Sequence, residues 1–213
     1  MLNFIADRWE QVLFSSWQHF SLVIQCVVLA SVIAVVLAAL VYRNGALASV
    51  ANAVSAVGLT IPSFALIGIL IVPFGFGVVP AVIVITFFAA LPVLRNAVVG
   101  LRGVNPALVE SARGVGMSRM KTLLRIELPL AWPVILTGVR VSAQMVMGVA
   151  AIAAFALGPG LGGFIFSGLA RLGGANSLSS VVTGVVAVII LALILDLGFV
   201  GLGRLTISRG IRV

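Results

Sequence analysis

From Phe20 to Val41 the chain carries no charged side chain, and the run ends abruptly at Tyr42-Arg43-Asn44-Gly45. A helix that crosses a bilayer needs about 20 mostly apolar residues, and this stretch supplies them. Composition shows that it is not an isolated anchor. Of 213 residues, 62% are hydrophobic and only 8% charged, with a mean hydropathy of +1.31. A soluble domain carries about 25% charged residues, so this chain lacks the material for a solvated surface. Its solvent is mostly lipid.

The expected architecture is an all-α membrane protein forming one domain over residues 1–213, with about five transmembrane helices at 20–41, 47–72, 78–94, 131–157 and 180–203. Pro62 falls inside the second span, where a kink is tolerated; the third follows a Pro-Phe-Gly-Phe-Gly turn and stops at Arg95. The residues before Phe20 do not read as a cleaved signal. Asp7, Arg8 and Glu10 nearly cancel, and no small-x-small site follows the apolar run. Trp9 and Trp17 suit a membrane interface.

The net charge of +8 is an orientation signal rather than a nucleic-acid footprint, because few polar residues accompany the basic ones. With five spans, one side receives Arg43, the 95–130 segment and the C-terminal tail, which hold ten of the thirteen basic residues, Arg209 and Arg212 among them. The other side holds only Arg8 and Arg171, and Arg140 lies within span four. The positive-inside rule then places the N-terminus outside and the C-terminus and the 95–130 segment in the cytoplasm.

That segment has a local code of its own, giving an elbow over about 105–129. Asn105-Pro106 is a helix start, with Asn as cap and Pro at the first helical position. Ala107 to Arg113 makes about two turns, which Gly114 and Gly116 end. Ser118 can cap a second helix, Arg119–Glu127, leading through Pro129 and Pro133 into span four. Two short helices joined at a Gly corner project from the membrane: an amphipathic loop on the headgroups, or a docking elbow for a cytoplasmic partner.

Glu110-Ser111-Ala112, three residues, Gly116, nine residues, then Ile126-Glu127-Leu128-Pro129 resembles the EAA motif of ABC-importer permeases. The pattern E-A-A, x3, G, x9, I-x-L-P is met except for Ser111 in place of the first Ala. The resemblance implies a type I importer permease whose elbow docks on a separate ATPase, with Glu110, Ser111, Ala112, Gly116, Ile126, Leu128 and Pro129 as the coupling residues. It implies a second permease subunit, identical or paralogous, two ATPase subunits and an extracytoplasmic binding protein, in the cytoplasmic (inner) membrane of a prokaryote. ATP and Mg belong to the partner ATPase, since no GxxxxGK[ST] exists here; the chain itself is a transporter subunit rather than an enzyme, with no cofactor or metal of its own.

Thr60-Ile61-Pro62-Ser63, Gly77-Val78-Val79-Pro80-Ala81, Leu91-Pro92-Val93-Leu94-Arg95-Asn96 and Gly100-Leu101-Arg102-Gly103-Val104 look like permeases of osmoprotectant importers. That resemblance implies a quaternary amine such as glycine betaine, choline or carnitine as cargo, selected mostly by the binding protein. The alternatives are a methionine or other amino-acid importer permease and, from a different class, an ion-coupled secondary transporter. The latter usually carries intramembrane acids and inverted repeats; here Asp196 is the one candidate acid and no repeat is evident.

Three further features stand out. Arg140 and Asp196 lie roughly 12–14 Å deep in spans four and five, measured from the same side at 1.5 Å per residue. Matched depth and opposite sign suggest an ion pair, the alternative being two charges that face water separately. The outer loop from Gly158 to Asn176 is Gly-rich; it is a flexible crossing or a surface for the binding protein, with Gly162 and Gly163 at its centre. Cys26 is alone, so no internal disulfide forms, and His19, the only histidine, is placed at an interface without a catalytic partner.

Overall fold

The computed structural model describes residues 2–207, so Arg209 and Arg212 lie outside the described residues. Among these residues every regular element is helical: α1 (Leu2–Val41), α2 (Gly45–Gly58), α3 (Ser63–Phe74), α4 (Val78–Arg102), α5 (Pro106–Gly114), α6 (Arg119–Thr122), α7 (Leu128–Ala153), α8 (Gly162–Leu169) and α9 (Ser177–Thr206). A π turn, Leu123–Glu127, joins α6 to α7.

The core forms where α4 is sandwiched between α1 and α7. On α1, Ala30, Ala34 and Ala38 recur every fourth residue and are fully buried. Small side chains at helical spacing let backbones approach, which is how helices associate where lipid offers no hydrophobic drive. The α4–α7 crossing is closer still. A Cβ on Gly138 would sit 2.6 Å from the Cβ of Asn96, so only hydrogen fits. Polar ties cross the same core: the Ser142 hydroxyl donates to the Ala89 carbonyl at 2.7 Å.

Four stretches are long and apolar enough to cross a membrane as single helices, and the fifth candidate is the pair α2 and α3, bent by 93°. The segment 47–72 is therefore not one kinked helix. At 1.5 Å per residue neither half reaches across a hydrocarbon core of about 30 Å. The break has a local cause. The residue before a proline is driven out of the helical region, and Pro62 itself is extended (φ −64, ψ 119) as the cap of α3. The Thr60 hydroxyl donates to the Val57 carbonyl at 2.7 Å and closes off the end of α2.

Three other boundaries differ from expectation. The residues before Phe20 are continuous with the first span in α1, which is irregular only at Arg8. The third span does not stop at Arg95 but runs to Arg102, because Pro92 and Arg95 sit in an unbroken helix where Asn96 Nδ2 donates to the Pro92 carbonyl at 2.9 Å. The outer loop contains the helix α8, which packs on α9; the Ser180 hydroxyl donates to the Phe164 carbonyl at 2.8 Å and that of Ser177 to Gly168 at 2.9 Å. His19 is not at an exposed interface: it is fully buried, with Nε2 3.1 Å from the Met147 carbonyl oxygen, and ties α1 to α7.

Candidate functional site

The elbow starts as its sequence dictates. The Asn105 side chain accepts from the Ala107 N–H at 3.0 Å and Pro106 opens α5. Its end is set by Gly116 alone. Gly114 still belongs to the helix, whereas Gly116 takes the left-handed conformation (φ 83). The Met117 N–H then reaches the Ala112 carbonyl at 3.1 Å, and that of Gly116 reaches Arg113 at 2.9 Å. This pair of bonds is the Schellman ending, for which a residue without Cβ is favoured.

The second half of the elbow is not a separate helix. Ser118 caps α6, its hydroxyl accepting from the Lys121 N–H at 3.3 Å, but the chain then continues through the π turn directly into α7. Pro129 explains the turn. It has no N–H to give to the carbonyl four residues back, and the Leu128 N–H bonds instead to Leu123, five residues back. The elbow is thereby the rigid lower end of a core helix, joined to α5 by the Gly116 corner.

The motif residues do not share one surface. Ser111, Ala112, Ile126 and Pro129 line one hollow of about 550 Å³ between α5 and the start of α7, together with Leu108 and Val115. Glu110 lies on the other side of α5, exposed, in a cleft it shares with Arg43, Arg102 and Arg113. Leu128 is half-buried against the core. Leu108, Val115 and Met120 remain exposed at 48%, 81% and 63%, an apolar surface on an element that leaves the bundle.

Sequence reasoning missed what anchors this elbow. Glu127, 4% exposed, sits in the π turn and accepts from the Tyr42 hydroxyl at 2.7 Å and from Arg43 Nη2 at 3.0 Å. Arg43 Nε in turn donates to the Tyr42 oxygen at 2.6 Å. The three side chains clip the end of α1 to the elbow. Burial, then the bond to Glu127, pushes the Tyr42 phenol up to about 12. Burial is the largest single influence on Arg43 and lowers it, but the hydrogen bonds to Glu127 and Tyr42 and the attraction of their oxygens together outweigh it, and the guanidinium is held above its ordinary value. The available signal was a lone acid in an apolar stretch; its partner lay far away in sequence.

Deeper in the bundle, Arg140 and Asp196 meet in a two-pronged pair, Nε to Oδ1 at 2.5 Å and Nη2 to Oδ2 at 2.7 Å. Gln144, a turn along α7, also donates to Asp196 Oδ1. Arg43–Glu127, at the elbow, is likewise an ion pair. Toward the elbow, Arg140 borders an open cleft of about 590 Å³ between α4, α7 and α9, whose walls include Asn96, Thr137 and Phe199.

At the opposite end, the structure separates the two outer-loop glycines. Gly162 is buried, and a Cβ there would lie 2.0 Å from the Ala151 carbonyl oxygen; Gly163 has no neighbour within 4 Å of that position. Gly162 is a packing residue and Gly163 faces open space.

A family described as the binding-protein-dependent transport system inner membrane component matches residues 28–206. The chain belongs to that family. The chain is similar to the choline transport system permease protein OpuBB of Bacillus subtilis, 34% identical over 92% of this chain and 88% of its own. The carnitine transport permease protein OpuCB of Listeria monocytogenes is likewise 34% identical, with the same coverage. The osmoprotectant import permease protein OsmW of Salmonella typhimurium is 34% identical over 92% of this chain and 91% of its own. Among solved structures, the inward-facing MetNI methionine ABC transporter aligns with a TM-score of 0.78 over 93% of this chain and 96% of that one, at 20% identity. That likeness establishes the permease fold. Family and fold together make this a multi-pass membrane subunit of a binding-protein-dependent importer.

Proposed function

We propose that this permease forms the pathway for a quaternary-amine osmoprotectant, such as glycine betaine, choline or carnitine, and couples its import to ATP hydrolysis on a separate, Mg-dependent ATPase. The observation that carries the cargo class is the 34% identity, over nine-tenths of the chain, to permeases named for choline and carnitine. The elbow supports the coupling. Its exposed Leu108, Val115 and Met120 offer an apolar face to a groove on the ATPase, and exposed Glu110 offers a charge to a basic partner. The pathway requires a second permease. Bacillus subtilis has two similar relatives, OpuCB and OpuCD, under one transport-system name, at 35% and 30% identity, which favours a paralogous partner. The charge distribution favours an orientation with the elbow in the cytoplasm and the α8 end outside the inner membrane, facing the binding protein.

Reconstitution tests this. The permease pair, its ATPases and its binding protein in proteoliposomes should accumulate glycine betaine or choline only with ATP on the elbow side. Gly116→Val forces a β-branched residue into a left-handed conformation, and Glu110→Lys reverses the docking charge; each should leave the permease inserted and abolish the coupling. Uptake near the wild-type rate by both variants, at equal expression, would defeat the elbow assignment. A bulky residue at Gly163, where space is open, should reduce ATPase stimulation by loaded binding protein; unchanged stimulation refutes α8 as its docking end.

A further inference from the structure

The Arg140–Asp196 pair is in the wrong place to be only a fastener. A brace between helices is packed into their contact, but here Arg140 retains 43% of its side-chain surface and Asp196 22%. Both lie within spans, and Thr137, Gln144 and Gly148 are exposed along the same side of α7, interleaved with Val134 and Val141. Charged groups inside a membrane face a protein interior or a water-filled cavity rather than lipid. This face of the bundle is therefore turned to a protein partner or to an aqueous passage rather than to lipid, and the 590 Å³ cleft beside Arg140 lies on it.

The donors are arranged for more than each other. A guanidinium has five N–H bonds in a planar fork, and the pair engages only Nε and Nη2. Nη1 has no partner among the described residues, and a carboxylate can take it without displacing Asp196. Asn96 shares the cleft. A quaternary ammonium has no hydrogen to donate, so it is held by a nearby negative charge and by an aromatic face. Asp196 and Phe199 are three residues apart on α9, hence on one side of it, and Phe199 lines the same cleft. We propose that Arg140 with Asn96, and Asp196 with Phe199, form a transit site for a zwitterion carrying a carboxylate and a quaternary ammonium. The site gives each end of the cargo an opposite charge, while the pair itself is neutral when the site is empty. This inference rests on the osmoprotectant reading.

The reconstituted complex, with one binding protein, is assayed for uptake of glycine betaine, which has both groups, and of choline, which lacks the carboxylate. Arg140→Gln is expected to lower glycine betaine uptake about tenfold more than choline uptake, each relative to wild type. Asp196→Asn should lower both, as should Phe199→Leu, a change that keeps the side chain apolar and the subunit assembled. Equal loss of both substrates in Arg140→Gln overturns the transit site in favour of a brace. So does full recovery of the wild-type ratio by the charge swap Arg140→Asp with Asp196→Arg, and so does unchanged uptake in Phe199→Leu. A wild-type complex that imports neither substrate overturns the osmoprotectant reading and the transit site with it; that loss is distinguished because it precedes any substitution.

Discussion

Glu127→Ala removes the carboxylate that clips the elbow to α1. Taking one member from a buried ion pair costs about 3–5 kcal/mol. Arg43 keeps 35% of its side chain exposed, so water recovers part of its share, whereas the Tyr42 hydroxyl, in a residue only 6% exposed, loses a charge-assisted bond of about 1.5–3 kcal/mol. Weighing both gives about 2–3 kcal/mol for the substitution. For a chain of this size each kcal/mol lowers the midpoint by about 2–4 °C, so thermal unfolding of the detergent-purified permease should shift down by about 4–12 °C. The exposed carboxylate Glu10 provides the control, since surface changes usually stay within about 0.5 kcal/mol. Arg43→Gln should be costly alone but add little to Glu127→Ala, with a coupling of at least about 1 kcal/mol between neighbours in one network. A Glu127→Ala shift no larger than that of Glu10→Ala, or strict additivity with Arg43→Gln, refutes the clip.

Tyr42 is the only tyrosine in the chain, so phenolate absorbance of the purified permease reports it directly: its ionisation should centre near about 12, against the ordinary value of about 10. Below the unfolded value both states keep the proton; between the two values only the unfolded chain ionises, so stability should fall as pH rises through that window, and Tyr42→Phe should remove this dependence. A midpoint near the ordinary value counts against the buried clip. Gly162→Ala, with no room beside the Ala151 carbonyl, should destabilise by about 1–3 kcal/mol or more, while Gly163→Ala should change stability by less than about 0.5 kcal/mol; equal melting of the two refutes the packing account of α8.

Much of this protein was legible because the relevant physics is local. Uninterrupted apolar runs declare spans wherever they fold, since lipid leaves the backbone no alternative partner. Asn105, Pro106, Gly116 and Ser118 act on atoms within a few residues of themselves, and each does so where the sequence places it. Even the meeting of Arg140 with Asp196 was visible as matched depth and opposite sign. Tertiary structure decided the rest. The Tyr42–Arg43–Glu127 clip joins groups 84 and 85 residues apart, and no window of sequence contains both halves. His19 is buried because α7 delivers the Met147 carbonyl to it, a fact about the far end of another helix. Gly162 and Gly163 are adjacent and chemically identical, yet one abuts a carbonyl and the other open space. Sequence specifies what each segment can bond to nearby; which segments come within reach is settled only when the helices pack, because close packing depends on every contributing side chain at once.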